Sequence, residues 1–291
     1  MDWITGMQRA IDFIESHLTE EIDIDSVARQ AFLSSFYFQR IFGFLCGYTV
    51  GDYIRSRKLS LAGMDLITKD TKILDIALKY GYGTPESFTR AFTRFHGITP
   101  SAARSRSGNL KSFARLSIKL SLEGGDIMNY RIKSVPAFRV AVKTKRFHSD
   151  SAQMQIPGYW DNCRKDGTIE ALCACLKKES VFGSALLGIC EEDVSSSGGF
   201  PYSIGAEYNG TPLKTGLEVK EIPAHTWVIF ECTGSMPTAM QEMWNKIYTC
   251  YFPTSDYQPF GGIDFEVYPN GDLLDPAYKS EIWIAVKKKQ A

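Results

Sequence analysis

The sequence predicts two domains, an all-α domain followed by an α+β domain. Three observations support this: an internal repeat at a shift of 50 residues, a second repeat at a shift of 87 residues, and a segregation of charge along the chain. The length of 291 residues fits two domains of roughly 100 to 200 residues each. We expect the first domain to hold two helix-turn-helix units joined by a long helix. We expect the second to be a pseudo-twofold repeat of strand-strand-helix-strand-strand type.

The first repeat becomes visible when residues 34–50 are aligned with residues 84–100. Matching pairs are then Ser34 and Thr84, Phe38 and Phe88, Arg40 and Arg90, Phe42 and Phe92, Gly47 and Gly97, and Thr49 and Thr99. Each copy contains a short helix, a turn, and a second helix opened by a hydroxyl residue that is able to cap it. This order predicts two helix-turn-helix units.

Helical spacing divides each second helix into a buried and an exposed face. Apolar residues at i, i+3, i+4 and i+7 are expected in the core, which selects Phe38, Ile41, Phe42 and Leu45, and then Phe88, Ala91, Phe92 and Phe95. The residues left toward solvent are Phe36, Gln39 and Arg40, with Glu86, Thr89 and Arg90 as their counterparts.

Those exposed residue types suit the reading of bases in the major groove. Arg bonds guanine in bidentate fashion, Gln bonds adenine, and aromatic or Thr carbons contact the thymine methyl group. For Arg40 and Arg90 an alternative has equal weight, since half or more of protein–DNA hydrogen bonds go to the backbone. Either residue could bind phosphate or brace its own helix.

Residues 49–62, between the two copies, predict a long connecting helix that fixes the separation of the two units. Recognition helices in successive major grooves lie about 34 Å apart, so one chain could cover two half-sites. Arg55, Arg57 and Lys58 are candidates for phosphate contacts, and an ordinary solvated helix face is the alternative.

A change of composition marks the end of the first domain. Residues 101–126 are rich in Ser, Arg, Lys and Gly, and helical spacing gives way to alternation at residues 116–122. We expect the DNA-binding domain at residues 1–108, a linker or first strand at 109–127, and the second domain at 128–291.

The second repeat matches residues 132–137 with residues 219–224. Each copy is followed by an apolar strand, then by a helix that carries Trp160 or Trp244, then by further strands. This succession predicts an α+β domain with pseudo-twofold symmetry. A cleft between the two halves is the expected place for a ligand.

Near the end of the chain, Glu281 and Trp283 are expected on one face of a strand, since side chains alternate along it. A carboxylate beside an indole could bind a cation through charge and cation–π attraction. The alternative, a solvated Glu beside a half-buried Trp, is the more frequent arrangement in proteins.

The formal net charge of zero conceals a strong segregation. Residues 1–25 carry a net charge of −6, residues 26–119 carry +10, and residues 120–291 carry −4. A basic segment beside acidic ones indicates that one domain alone holds phosphates.

Several classes of site and location are not expected. The seven cysteines are scattered without a C-x-x-C pair, and the four histidines have no metal-ligand spacing, so we expect no disulfide framework, metal or cofactor. No segment reads as a secretion signal or a membrane span. We therefore expect a cytoplasmic protein without a membrane partner.

The first domain resembles the AraC/XylS family of regulators. The resemblance rests on residues 38–42 with Gly47, residues 53–59, and residues 87–92 with residues 97–100. It implies a seven-helix DNA-binding domain, activation of transcription, and RNA polymerase as a further partner. Base-reading positions carry over to Phe36, Gln39, Arg40, Glu86, Thr89 and Arg90, but Pro85 replaces an expected polar residue.

The second domain resembles the gyrase-inhibitor-like (GyrI-like) effector-binding domain. The resemblance rests on residues 133–137, Tyr159 and Trp160, the helix of Trp244, residues 255–257 and residues 280–284. It implies binding of bulky, often cationic or aromatic, small molecules. The pocket candidates are Trp160, Tyr208, Trp244, Phe260, Glu281 and Trp283, although each aromatic residue could instead be core.

Together these features predict a transcription regulator that binds a specific double-stranded DNA site and is modulated by a small-molecule effector. No nucleophile–base pair or phosphate loop is readable, so an enzyme is not expected. The alternative is that the second domain acts as a small-molecule hydrolase or a ligand sink.

Overall fold

The computed structural model describes residues 3–105, 109–118, 127–148, 151–176, 180–192 and 199–289. The chain divides into two compact units, residues 1–122 and residues 123–291. This division falls inside the segment expected to link the two domains.

The first unit is helical. Its described helices are α1 (Trp3–Ser16), α2 (Ile24–Gln30), α3 (Ser35–Cys46), α4 (Val50–Thr68), α5 (Ile73–Lys79), α6 (Pro85–His96) and α7 (Pro100–Arg104). Helices α2 and α3 form one helix-turn-helix unit and α5 and α6 form the other, with α4 as the long connection. The predicted helical domain with two helix-turn-helix units is confirmed.

The two helix-turn-helix units are capped in the same way. The Ser34 hydroxyl accepts a hydrogen bond from the Tyr37 amide at the start of α3, and the Thr84 hydroxyl accepts one from the Ser87 amide at the start of α6. Both recognition helices end at a glycine in the left-handed region, Gly47 (φ 72°) and Gly97 (φ 83°). Glycine adopts this conformation without the steric cost of a Cβ, which explains why it recurs at this position of the repeat.

The second unit combines one antiparallel sheet with helices. Its strands are β1 (Tyr130–Val135), β2 (Phe138–His148), β3 (Ala185–Glu191), β4 (Gly199–Glu207), β5 (Glu218–Ile222), β6 (His225–Thr233), β7 (Tyr257–Pro269) and β8 (Lys279–Lys288). Its helices are α8 (Ala152–Lys165), α9 (Thr168–Cys173), α10 (Thr238–Lys246) and α11 (Phe252–Thr254), with a π-helical turn at Ile247–Tyr251 between the last two. The predicted α+β composition is confirmed.

The strand order of the sheet is β1-β6-β8-β7-β3-β4-β2-β5. The two halves of the sheet are equivalent in this order. If β1 is exchanged with β5, β2 with β6, β3 with β7 and β4 with β8, the same order results, read from the opposite edge of the sheet. The strand order is therefore compatible with the predicted repeat, while a twofold axis in space stays a prediction.

No described helix is both long and apolar enough to span a membrane.

Residues 109–118 form neither a helix nor a strand. A linker or a first strand is expected at residues 109–127; the described residues 109–118 have no strand pairing, and 119–126 lie outside the described residues. Residues 109–118 pack instead on the first unit, where Leu110 contacts the core of the second helix-turn-helix unit.

Candidate DNA-binding and effector-binding sites

Helix α3 holds the first three predicted base-reading residues. Phe36, Tyr37 and Phe38 are three consecutive buried residues at its start. The prediction that Phe36 faces solvent is therefore wrong, since its side chain is only 8% exposed. Helix α3 packs against both α2 and α4, so more than one of its faces is covered.

Gln39 and Arg40 remain partly exposed on α3. The Arg40 guanidinium lies 5.9 Å from the centroid of the Phe36 ring and 5.8 Å from that of Phe44. The Gln39 side-chain amide donates to the Ser35 carbonyl at 3.2 Å. In this conformation both side chains contact residues of their own helix.

Helix α6 presents the corresponding residues of the second unit. Glu86 and Arg90 are exposed and Thr89 is half-buried, while Phe88 and Phe92 are buried. Pro85 occupies the first turn, a position that tolerates proline because the first amides have no partner within the helix. The exposed face of α6 therefore begins with an imino acid and a carboxylate, neither of which favours contact with a phosphate.

The two connecting-helix arginines differ sharply in their surroundings. Arg55 is exposed and forms an ion pair with Asp52 at 2.7 Å within α4. Arg57 instead donates to both carboxylate oxygens of Glu15 at 2.8 and 2.7 Å, and to the Phe113 carbonyl at 2.5 Å.

The Arg57–Glu15 pair is part of the interior of the first unit. The side chains of Arg57 and Glu15 are only 12% and 10% exposed. The Tyr53 hydroxyl also donates to Glu15 at 2.7 Å, and burial together with this bond raises the pKa of Tyr53. The prediction of Arg57 as a phosphate contact is thus corrected, because its guanidinium is already held by buried acceptors.

In the second unit, cross-strand partners identify the two faces of the sheet. Trp283 lies opposite Phe265, and Ile282 lies opposite Glu266. Because successive residues of a strand alternate between faces, Trp283 and Phe265 share one face, and Ile282 and Glu266 share the other. We call them the Trp283 face and the Glu266 face.

Glu281 lies on the Trp283 face. Its carboxylate accepts a hydrogen bond from the Trp283 indole at 2.7 Å and forms an ion pair with Arg131 at 2.7 Å. Trp283 is buried, and the centroid of its ring system lies 4.7 Å from that of Phe182 and 6.2 Å from that of Trp227. The predicted carboxylate–indole pair therefore exists, but an arginine already neutralises the carboxylate.

The other predicted effector residues lie elsewhere. Trp160 and Trp244 contact the Glu266 face, as described below. Tyr208 lies 5.3 Å from the Arg139 guanidinium, and Phe260 is 46% exposed with the Lys287 ammonium 4.6 Å from its ring. The expectation of one pocket built from all six residues is wrong, because alternation in β8 places Glu281 and Trp283 on the face opposite the helix tryptophans.

A second carboxylate, which sequence reasoning missed, lies at the centre of the Glu266 face. Glu266 accepts a hydrogen bond from the Trp244 indole at 2.8 Å and another from the Tyr268 hydroxyl at 2.9 Å. Burial, followed by the neighbouring Glu266, raises the pKa of Tyr268 well above its ordinary value, so this hydroxyl stays a proton donor.

Aromatic side chains surround this carboxylate. The Trp160 indole packs edge-on against Tyr268 at 5.5 Å and donates to the Tyr202 hydroxyl at 2.9 Å. A Cβ added at Gly188 would collide with that hydroxyl and lie 3.2 Å from Glu266 Oε2. We call this group the Glu266 cluster; its members are Trp160, Gly188, Tyr202, Trp244, Glu266 and Tyr268.

The charge of Glu266 is not balanced by a basic side chain. Within the part of the chain that the structure describes, no lysine or arginine forms an ion pair with it. Its two recorded donors, Trp244 and Tyr268, are both neutral. A half-buried carboxylate without a cationic partner favours the arrival of a cation.

An open groove lies beside edge strand β1, where the rings of Tyr130 and Tyr251 are 4.8 Å apart. None of the six predicted effector residues lines it.

Two family models match the chain. A helix-turn-helix domain matches residues 27–106, and the GyrI-like small molecule binding domain matches residues 128–287, more than half of the chain.

Relatives of the first unit are transcription regulators. The regulatory protein SoxS of Salmonella typhimurium is 39% identical over 100 residues, covering 34% of this chain and 94% of SoxS. The transcriptional activator AarP of Providencia stuartii is 35% identical over 92 residues, covering 32% of this chain and 68% of AarP.

A solved structure, SAV2435 bound to tetraphenylphosphonium, is 22% identical, with a TM-score of 0.49. The match covers 55% of this chain and 94% of SAV2435.

Proposed function

The chain belongs to the AraC family of transcription regulators and to the family of GyrI-like small molecule binding domains, and on this basis we propose that a bulky cation is its effector. The cation binds at the Glu266 cluster of the second unit. Its binding free energy biases the affinity of the first unit for DNA, because a ligand shifts an equilibrium by its differential affinity for the two states.

The observation that carries the proposal is the environment of Glu266. Its carboxylate has two neutral hydrogen-bond donors and aromatic neighbours. Aromatic faces attract cations by about 0.5 to 2 kcal/mol each, depending on how far the cation is desolvated. A compact cation such as Na⁺ holds its water too tightly for rings to replace it, so a large, weakly hydrated organic cation is the better match.

On the DNA side, Gln39 and Arg40 of α3 read bases, and Arg90 and Thr89 of α6 position the second half-site. Arg55 contacts phosphate from α4. The support for this division is the exposure of Arg40 and Gln39 on a helix with no acidic side chain, against Glu86 and Pro85 at the start of α6. Phe36 supports the aromatic surface on which Arg40 rests.

We further propose that the regulator acts as an activator in the cytoplasm and contacts RNA polymerase once bound. The support is the similarity to AarP, which is a transcriptional activator.

The alternative of a hydrolase that uses Glu281 has less support. A general base must reach the proton that it removes, and Glu281 is already engaged by Arg131 and Trp283.

Titration of the full chain with tetraphenylphosphonium, followed by tryptophan fluorescence, tests the effector proposal. We expect Glu266→Gln to weaken binding by about tenfold or more, the equivalent of about 1.4 kcal/mol. Glu281→Gln is the matched control, since it removes a carboxylate from the other face, and we expect unchanged affinity.

Triphenylphosphine oxide, which carries similar rings without the charge, should bind weakly to the wild-type chain. Equal loss of affinity in the two carboxylate variants, or equal binding of the neutral compound, would refute the proposed cation site.

A further inference from the structure

Residues 109–118, which we call the strap, form neither a helix nor a strand and contact the helices of the first unit. The strap begins at the second helix-turn-helix unit. Leu110 packs against the core formed by α5 and α6, and the Lys111 amide donates to Nδ1 of His96 at 3.1 Å. His96 is the last residue of α6, so the strap is attached to the recognition helix itself.

The middle of the strap is bound to the connecting helix. The Phe113 amide donates to the Ser60 hydroxyl at 3.0 Å, and the Phe113 carbonyl accepts from Arg57 at 2.5 Å. The Phe113 ring packs edge-on against Tyr48 at 5.7 Å and Tyr53 at 6.1 Å. Tyr48 follows recognition helix α3, so Phe113 reaches the first helix-turn-helix unit.

The end of the strap is bound to α4 and α1. The Leu116 amide donates to the Tyr53 hydroxyl at 3.1 Å, and the Ile118 amide donates to Gln8 at 2.9 Å. The attachment therefore extends from the last residue of α6 to the first helix of the chain.

The spacing of these contacts shows that the strap runs antiparallel to α4. From Ser60 to Tyr53, α4 rises by about 10 Å at 1.5 Å per residue. From Phe113 to Leu116, three residues of chain can span up to about 10 Å at 3.3 Å per residue. Because the two lengths agree, the amides of Phe113 and Leu116 can both reach polar side chains of the helix, Ser60 and Tyr53.

We infer that the strap is a positioning element that holds the two helix-turn-helix units at a fixed separation on DNA. Helix α4 is a single connection between the two helix-turn-helix units. Because long helices bend, such a connection does not by itself fix their separation. The strap adds a second tie that spans the same length and ends on both units. Fixed separation matters because the two recognition helices must reach grooves about 34 Å apart. This inference rests on the proposed sequence-specific DNA binding.

The test is the dependence of binding on half-site spacing, measured with the full chain. A duplex of about 30 base pairs, or three helical turns, is first selected from a random library by the wild-type chain. Derivatives then carry one extra base pair between the half-sites, or only one half-site. For the wild-type chain we expect the insertion to weaken binding by about tenfold, the loss that one misplaced set of contacts produces.

Phe113→Ala is the principal variant. We expect it to bind the selected duplex about tenfold more weakly, to tolerate the inserted base pair better, and to bind the single half-site as the wild type does. A variant that merely unfolds would lose the single half-site as well. Leu274→Ala, which truncates a 74% exposed apolar side chain of the second unit, is the control and should match the wild type throughout.

Ser60→Ala, which removes one acceptor of the strap without changing either core, should shift the same quantities in the same direction by a smaller amount. An unchanged insertion penalty in both strap variants, or an equal loss on the intact and the single half-site, would overturn the inference. A wild-type chain that selects no duplex would overturn the proposed DNA function, and the inference with it.

Discussion

The indole N–H of Trp244 donates a 2.8 Å hydrogen bond to Oε1 of Glu266. Trp244 is part of α10 and Glu266 part of β7, so the proposed effector carboxylate also ties a helix to the sheet. The Trp244 ring stacks on Tyr248 with an interplanar angle of 11°, and Tyr248 lies in the π-helical turn. Because the Trp244 indole donates directly to Glu266, a ligand that reaches this carboxylate is expected to act on α10 and change tryptophan emission.

Gly188→Ala should damage the Glu266 cluster from the sheet side. Its Cβ would collide with the hydroxyl of the buried Tyr202 and lie 3.2 Å from Glu266 Oε2. We expect a loss of about 1 to 3 kcal/mol in the free energy of unfolding, as is usual when a core is overpacked, and weaker tetraphenylphosphonium binding. Urea denaturation and fluorescence titration measure the two effects.

The matched control for this prediction is Gly158→Ala in α8, where nothing lies within 4 Å of the added Cβ. Alanine is favoured over glycine in helices by up to about 1 kcal/mol, so this variant should be as stable as the wild type or more so. Equal stability of both glycine variants would show that the cluster is looser than its contacts indicate.

Alanine variants of Arg57 and Arg55 should have different effects, the first on the stability of the fold and the second on DNA binding. Arg57→Ala leaves the buried Glu15 without its cation, which we expect to cost about 3 to 5 kcal/mol of unfolding free energy. Arg55→Ala breaks an exposed pair and should cost less than about 1 kcal/mol, while lowering the salt dependence of DNA binding by about one phosphate contact. A stable Arg57→Ala chain with weakened DNA binding would restore Arg57 as a phosphate contact.

Much of the structure of the first unit could be predicted from its sequence, because the same pattern of buried and capping residues occurs in both copies of the repeat. Phe38 and Phe88, and Gly47 and Gly97, occupy equivalent positions, and both phenylalanines are buried. The burial of Phe36 does not follow from period 3.6, since α3 packs against α2 as well as α4.

The Glu266 cluster could be predicted only in part. Glu266 and Tyr268 are two residues apart and so share a face of their strand, which the sequence reveals. Their partners Trp160 and Trp244 come from separate helices, and strand pairing decides which face each helix covers. The position of the strap could be predicted even less from the sequence. Most of its hydrogen bonds come from backbone amides, which every residue but proline has.

His96 should make the first unit less stable in mild acid. Burial lowers the pKa of His96 below the ordinary value, and the nearby Lys111 adds to this, although the bond to the Leu59 carbonyl opposes it. The unfolded chain therefore binds a proton more readily, and stability falls as the pH drops from the unfolded pKa of about 6.5 toward the folded pKa. Above the unfolded pKa the effect vanishes.

Urea unfolding followed by circular dichroism at pH 7.5 and 5.5 measures this effect, with His96→Gln expected to lose part of the pH dependence. His225, whose pKa is also lowered by burial, lies in the second unit, so His225→Gln should leave the unfolding of the helical unit unchanged. The same pH dependence in His96→Gln and in the wild-type chain would exclude His96 as its source.

Arg40 and Arg90 occupy equivalent places in the repeat but should contribute differently to DNA binding. Arg40→Ala should reduce binding to the selected duplex by about 1 to 3 kcal/mol and relax selectivity at one base pair, as the loss of a bidentate base contact does. Arg90→Ala, next to Pro85 and Glu86 on α6, should weaken all duplexes alike and reduce the salt slope by about one. Gel-shift titrations across salt on specific and scrambled duplexes distinguish the two effects, with Arg164→Ala in the second unit as the control. Equal loss on both duplexes in Arg40→Ala would instead assign Arg40 to phosphate, and α3 would then position the protein as α6 does.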